Sequence, residues 1–268
     1  MNSLAAITPP EPGEPIIKVR GLSVRFGELE VLRDVSFDVM RGEILVIVGG
    51  SGCGKTTLLR HIIGLHQPNA GRVEFSGVDV HNASSRQTRA LRRSFGMLFQ
   101  SGALLGSMNL AENICLPLED HTSLSDREML QVAQMKLSLV GLAGFQNHLP
   151  AEISGGMKKR AGLARAMALD PLALFFDEPS AGLDPITSAE LDALILDLNK
   201  ALGTTMIIVS HELASIFAIA HRVIMLDKSK KGLIAQGDPR WLRDNSPDPL
   251  VRNFFGRNPG GVEGARTK

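Results

Sequence analysis

Ile44-Leu45-Val46-Ile47-Val48-Gly49-Gly50-Ser51-Gly52-Cys53-Gly54-Lys55-Thr56 decides how this chain folds. Five consecutive apolar residues, ended by glycines, suit a strand covered on both faces, as in the middle of a parallel sheet. Gly49 to Thr56 then fits a phosphate-loop pattern in the setting that pattern needs, strand before and helix after. The glycines let backbone N–H groups approach an anion closely, and a helix starting near Lys55 points its positive end at it.

Working outward, Met97 to Phe99, Leu172 to Phe176 and Met206 to Val209 are further apolar runs separated by helical stretches. That order predicts a mostly parallel sheet with crossover helices. Val35, Phe37 and Val39 alternate with polar residues and predict a half-buried antiparallel strand. Leu191, Leu194, Ile195 and Leu198 share one face of a helix that follows Pro185 and stops near Gly203. Between Ser101 and about Glu152 strand patterns give way to helices, including Asp126 to Val140, which predicts a helical insertion in the α/β core. Val223 to Leu226 and Leu233 to Ala235 predict a closing hairpin. Prolines 9, 10, 12 and 15 make residues 1–15 a loose tail; residues 16–245 form the domain, and 246–268 an extension with a short helical segment around Leu250 to Phe255.

Charge and cysteine content exclude several classes. With 29 basic and 28 acidic residues, no overall field favours nucleic acid. Cys53 and Cys115 are too few for a disulfide framework and suit a reducing compartment. No apolar run nears the ~20 residues needed to cross a bilayer, so the expectation is a soluble, cytoplasmic chain.

Three more groups carry chemistry. Asp177-Glu178 ends the run Leu172 to Phe176, so both carboxylates emerge at the carboxyl edge of a parallel strand, where open α/β sheets bind ligands. Paired with a phosphate loop, Asp177 would position Mg²⁺ beside the Thr56 hydroxyl, Lys55 would reach the β- and γ-phosphates, and Glu178 would act as general base on water. Ser154-Gly155-Gly156-Met157 opens a second glycine-rich helix, capped by Ser154 and running to about Leu169. Lys158, Lys159 and Arg160 put three positive charges at the unfavourable end of that helix's dipole, a cost an incoming anion would offset.

Together these motifs resemble the ATP-binding subunits of ABC transporters over residues 16–240. The resemblance implies an α/β fold with a P-loop NTPase (RecA-like) core, an antiparallel β subdomain and a helical subdomain at about residues 102–170. It implies ATP and Mg²⁺ as ligands, held by Gly49, Gly50, Ser51, Gly52, Cys53, Gly54, Lys55, Thr56 and Thr57. Ser154, Gly155 and Gly156 would bind the γ-phosphate of ATP held by a second copy of the chain, so two copies share two sites. Gln100 matches the glutamine that senses Mg²⁺ and the attacking water, Asp184 closes the loop that couples the two sites, and His211 matches the histidine that contacts the γ-phosphate. Phe26 stands where an aromatic stacks on adenine; the other reading is an ordinary core phenylalanine. Ala103-Leu104-Leu105 would receive a coupling helix from a membrane permease, or else lie in the core of the insertion.

Met157 and the following Lys158-Lys159-Arg160, the stretch Phe99 to Leu105, Asn113 to Pro117 and the ending Val251 to Gly256 resemble the Mla-type phospholipid-transport ATPases of MCE systems. This implies a peripheral protein at the cytoplasmic face of the inner membrane, held by permease subunits, with an MCE-type lipid-binding protein and a small accessory subunit. The alternatives are an ABC transporter for another substrate and a soluble ABC-type ATPase of translation or repair. The latter kinds carry two ATPase units or a long coiled coil, and neither occurs here.

Overall fold

A computed structural model describes residues 7–256. In chain order the elements are β1 (Pro15–Phe26), β2 (Leu29–Met40), β3 (Ile44–Gly49), α1 (Lys55–Ile62), β4 (Ala70–Phe75), β5 (Val78–Asp79), α2 (Ser85–Ser94) and β6 (Phe95–Leu98). Then follow α3 (Leu110–His121), α4 (Asp126–Leu139), α5 (Gly155–Ala166), β7 (Ala173–Asp177), α6 (Pro185–Leu202), β8 (Thr205–Val209) and α7 (Leu213–Ile219). The described residues end with β9 (Arg222–Asp227), β10 (Gly232–Gly237), α8 (Pro239–Asn245) and α9 (Pro249–Phe255).

The larger sheet has the order β10-β9-β3-β8-β7-β6, parallel except for β10, which returns antiparallel to β9. Strand β3 is central, as its unbroken apolar run demands, and every one of its residues is buried. Alternation along β3 divides the core in two. Ile44, Val46 and Val48 face the helical side, packed with residues of α3 to α7 and α9, while Leu45 and Ile47 face α1 and the smaller sheet. That smaller sheet, β2-β1-β4-β5, is antiparallel throughout.

The helical insertion is α3, α4 and α5. Asn109 caps α3 through a reciprocal box with Glu112, and buried Asn113 donates to the carbonyls of Leu105, Met108 and Asn109, fixing the loop before the helix. α6 ends where Gly203 takes φ 63°, the left-handed turn expected there.

Some boundaries differ from the sequence reading. β6 begins at Phe95 and stops at Leu98, leaving Phe99 exposed, and α5 ends at Ala166. Helices α2 and α8 were not anticipated; α2 is strongly polar, with only Ala90, Leu91 and Ser94 buried, so its apolar stripe is narrow. Residues 7–14 are held to the domain: Ile7 packs on the second core cluster, Arg41 donates to the Pro10 carbonyl, and the Arg41 amide donates to Glu14. The extension places α9 on the core, with Val251 and Phe255 buried. Residues 1–6 of the expected tail and 257–268 of the extension lie outside the described residues.

Candidate active site

The loop after β3 is shaped by contacts only glycine permits. A Cβ on Gly49, at φ 144°, would lie 2.3 Å from the Leu226 carbonyl oxygen, and Gly54, at φ 99°, begins α1 with no side-chain cap. The first-turn amides of α1 therefore remain available to an anion. Lys55 Nζ donates to the carbonyls of Gly49 (2.9 Å) and Gly50 (3.1 Å), which draws its ammonium across the loop.

The neighbouring parallel strands deliver the carboxylates. The Thr56 hydroxyl donates to Asp177 Oδ1 at 2.9 Å, joining the start of α1 to the end of β7. The next residue, Glu178, has φ 49°, a left-handed conformation that costs a non-glycine residue about 1–2 kcal/mol. Its amide donates to the Val209 carbonyl at 2.9 Å, which holds the turn against β8. His211, two residues past β8, places Nδ1 3.1 Å from Glu178 Oε1. The result is a cleft of about 620 Å³ lined by Gly49, Gly50, Ser51, Gly52, Gly54, Lys55, Thr56, Thr57, Glu178 and His211, with Phe254 of α9. Hydroxyl and carboxylate oxygens at Thr56 and Asp177 form a hard donor pair that fits Mg²⁺.

Cys53 does not reach the cleft. Its side chain is buried in the core and burial pushes the thiol pKa up, so only its backbone can serve an anion. Phe26 is 54% exposed at the end of β1, which excludes a core phenylalanine. Gln100 lies outside the cleft lining and is exposed.

The second glycine helix is likewise absent from its own chain's cleft. Ser154 caps α5 by accepting from the Met157 amide at 3.2 Å. Behind it, Gly156 packs so closely on α6 that a Cβ would stand 2.5 Å from Thr187 Cγ2. Thr187 in turn donates to Asp184 Oδ2 at 2.6 Å, and Asp184 accepts the Ile186 and Thr187 amides as the cap of α6. These bonds, the Thr187 hydroxyl first, hold the Asp184 carboxyl below its ordinary pKa. The serine-glycine helix start and the Asp184 loop thus form one packed unit.

The basic run needs correction. Of the three cations expected to await an anion, Lys159 is buried and donates to the Gln100 carbonyl, and Arg160 pairs with Glu190 at 2.8 Å. Lys159 has its pKa lowered by burial. Arg165, one turn on, donates to the Gly102 and Ala103 carbonyls, so α5 grips the segment that follows β6. Sequence reasoning missed this clamp because the pairing spans about 60 residues; the run of cations was its only signal.

A strand-loop-helix phosphate cradle with an acidic strand end beside it defines a P-loop nucleotide hydrolase with a second glycine helix turned outward. Residues 32–181 match the family described as ABC transporter, and the chain belongs to that family. It is 42% identical over 241 residues to the intermembrane phospholipid transport system ATP-binding protein MlaF of Escherichia coli K12, covering 90% of this chain and 88% of that one. The probable ribonucleotide transport ATP-binding protein mkl of Mycobacterium leprae is 42% identical over 239 residues, 89% of this chain and 68% of its own length. The methionine import ATP-binding protein MetN of Brucella abortus is 41% identical over 92% of this chain and 66% of its own. The chain thus spans about two thirds of the mycobacterial and Brucella relatives. Among solved structures, the ATP-binding cassette MJ0796, dimeric and bound to ADP and Pi, superposes with a TM-score of 0.74 at 28% identity over 83% of this chain and 98% of that one. cbiO1 from Clostridium perfringens, part of the ABC transporter complex cbiONQ, gives 0.78 at 26% identity over 91% and 96%. Among the described residues, no helix is long and apolar enough to cross a membrane.

Proposed function

We propose that this chain binds and hydrolyses ATP as the motor subunit of an ABC transporter that moves phospholipid between membranes. The observation that carries the ATPase reading is the Glu178–His211 pair, 3.1 Å apart, on the wall of the cleft that holds Lys55 and the glycine loop. Glu178 accepts the proton of a water attacking the γ-phosphate, His211 orients that phosphate, and Lys55 with the loop amides neutralises its charge. Thr56 and Asp177 would hold Mg²⁺, which would supply positive charge against the phosphates; Gln100, outside the cleft lining, would have to move in to join the water and metal contacts. Phe26 stacks on adenine.

Ser154, Gly155 and Gly156 lie away from their own cleft, which supports their acting on the ATP of a second copy. The homodimer closes on two nucleotides, and Asp184, packed against the Gly156 helix start through Thr187, carries closure from one site to the other. The groove lined by Phe99, Leu116, Pro117 and His121, about 360 Å³, is where a permease helix docks. Leu104 and Leu105 are not among its lining residues: Leu104 packs on the core and Leu105 is exposed.

The phospholipid reading is supported by coverage. Three relatives with different named cargoes are 41–42% identical to this chain, but of the three MlaF matches over the largest share of its own length, 88% against 68% and 66%. On this reading the protein is peripheral at the cytoplasmic face of the inner membrane, held by permease subunits, with an MCE-type lipid-binding protein, a small accessory subunit and no nucleic acid. Purification of the tagged chain in mild detergent tests it: co-purifying permease, MCE-type protein and phospholipid are expected. A methionine or ribonucleotide permease without lipid would refute the cargo and leave the ATPase assignment standing.

A further inference from the structure

The phosphate cleft has one wall the catalytic scheme does not use. Among the described residues, Phe254 is the sole large apolar side chain lining it; the others are glycines, hydroxyls, Lys55, Glu178 and His211. Its ring is fixed from behind. Phe254 meets Phe255 edge-on at 5.0 Å, Phe255 is buried and meets Phe217 of α7 at 6.1 Å, and α7 begins two residues after His211. Phe217 is secured from the other side by Arg240, which donates to its carbonyl at 2.8 Å, and by the Arg243 guanidinium 5.5 Å from its ring centroid. Asp248 accepts the Leu250 amide at 2.8 Å and so caps the helix that presents Phe254.

Glu178 is partly exposed and His211 is 56% exposed, so an apolar wall of their cleft acts when a ligand fills it, by limiting the water trapped there and strengthening electrostatic interactions. We propose that Phe254 is a positioning residue for hydrolysis: through Phe255 and Phe217 it braces the loop bearing His211, and its ring gives the cleft that holds Glu178 and His211 an apolar wall. Helix α9 is then a working part of the ATP site. This rests on the reading of the cleft as an ATPase site.

The test is steady-state ATPase kinetics of the full chain, with nucleotide affinity measured separately by a fluorescent ATP analogue. Phe254→Ala is expected to lower kcat about five- to twentyfold, with affinity held within about twofold. Phe254→Leu, which keeps an apolar wall, restores most of the rate; Phe254→Gln, which keeps length without apolarity, does not. An unchanged kcat in Phe254→Ala and Phe254→Gln, or a loss confined to affinity, overturns the proposal. So does activity that falls only in step with folded fraction by circular dichroism, because Phe254 is then simply a packing residue. Wild-type turnover no higher than that of Glu178→Gln would bring down the ATPase reading and this proposal together; an active wild type beside an inactive Glu178→Gln keeps the reading whatever Phe254 shows.

Discussion

Glu178 shows how much of the chemistry is set by one backbone angle. Its φ of 49° turns the side chain off the end of β7 and toward His211, while its amide remains tied to Val209. Such strain persists only where surrounding bonds over-determine it. On the proposed scheme, replacing the carboxylate by an amide keeps the turn and the phosphate-binding groups and removes the proton acceptor. Glu178→Gln is therefore expected to cut ATP turnover by at least about 100-fold while ATP binding persists and an ATP-bound dimer accumulates, measured by phosphate release and size-exclusion chromatography. Hydrolysis near the wild-type rate would remove Glu178 from the base role.

At the scale of elements, α5 is seated on β6 by missing side chains. A Cβ on Gly96 would come within 2.1 Å of the Ala166 carbonyl, and one on Gly162 within 2.9 Å of both the Gly102 carbonyl and Leu98. Both obstacles include backbone, which cannot swing aside. Gly96→Ala should cost about 1–3 kcal/mol of stability, read from urea unfolding; a change under half a kcal/mol would show that the helix floats on the strand. α6 carries a different burden. Asp192 is buried, and desolvation, reinforced by nearby Glu212, raises its pKa to about 6 from an ordinary 3.8. The folded protein thus binds this proton more tightly than the unfolded chain, so stability from this group is greatest below pH 3.8 and falls as pH rises through about 6. Asp192→Asn is expected to stabilise the protein by roughly 1–3 kcal/mol above that pH and to give no gain near pH 3.8, checked by thermal melts at both ends. Equal gain at both ends would discard the explanation.

For the whole molecule, the decisive arrangement is that one chain keeps its phosphate cradle and its serine-glycine helix start apart. Complementation follows. Lys55→Ala and Ser154→Ala chains should each be inactive alone, and mixed together they leave at most one intact composite site per heterodimer, recovering up to about a quarter of wild-type activity for random pairing of independent sites. Full activity in either parent would contradict site sharing. The mostly parallel sheet, the central β3 and the phosphate loop were legible because each depends on local pattern: an apolar run, glycine spacing, alternation; the order of the strands was not. The sequence also determined the family, since the motifs of that chemistry lie within short stretches of contiguous residues. Only the tertiary structure decided that Lys159 and Arg165 grip the Gln100 segment, that Cys53 faces inward, and that Phe254 reaches the cleft. These contacts join residues far apart along the chain, and the direction of each side chain is set by packing among elements rather than by its sequence neighbours.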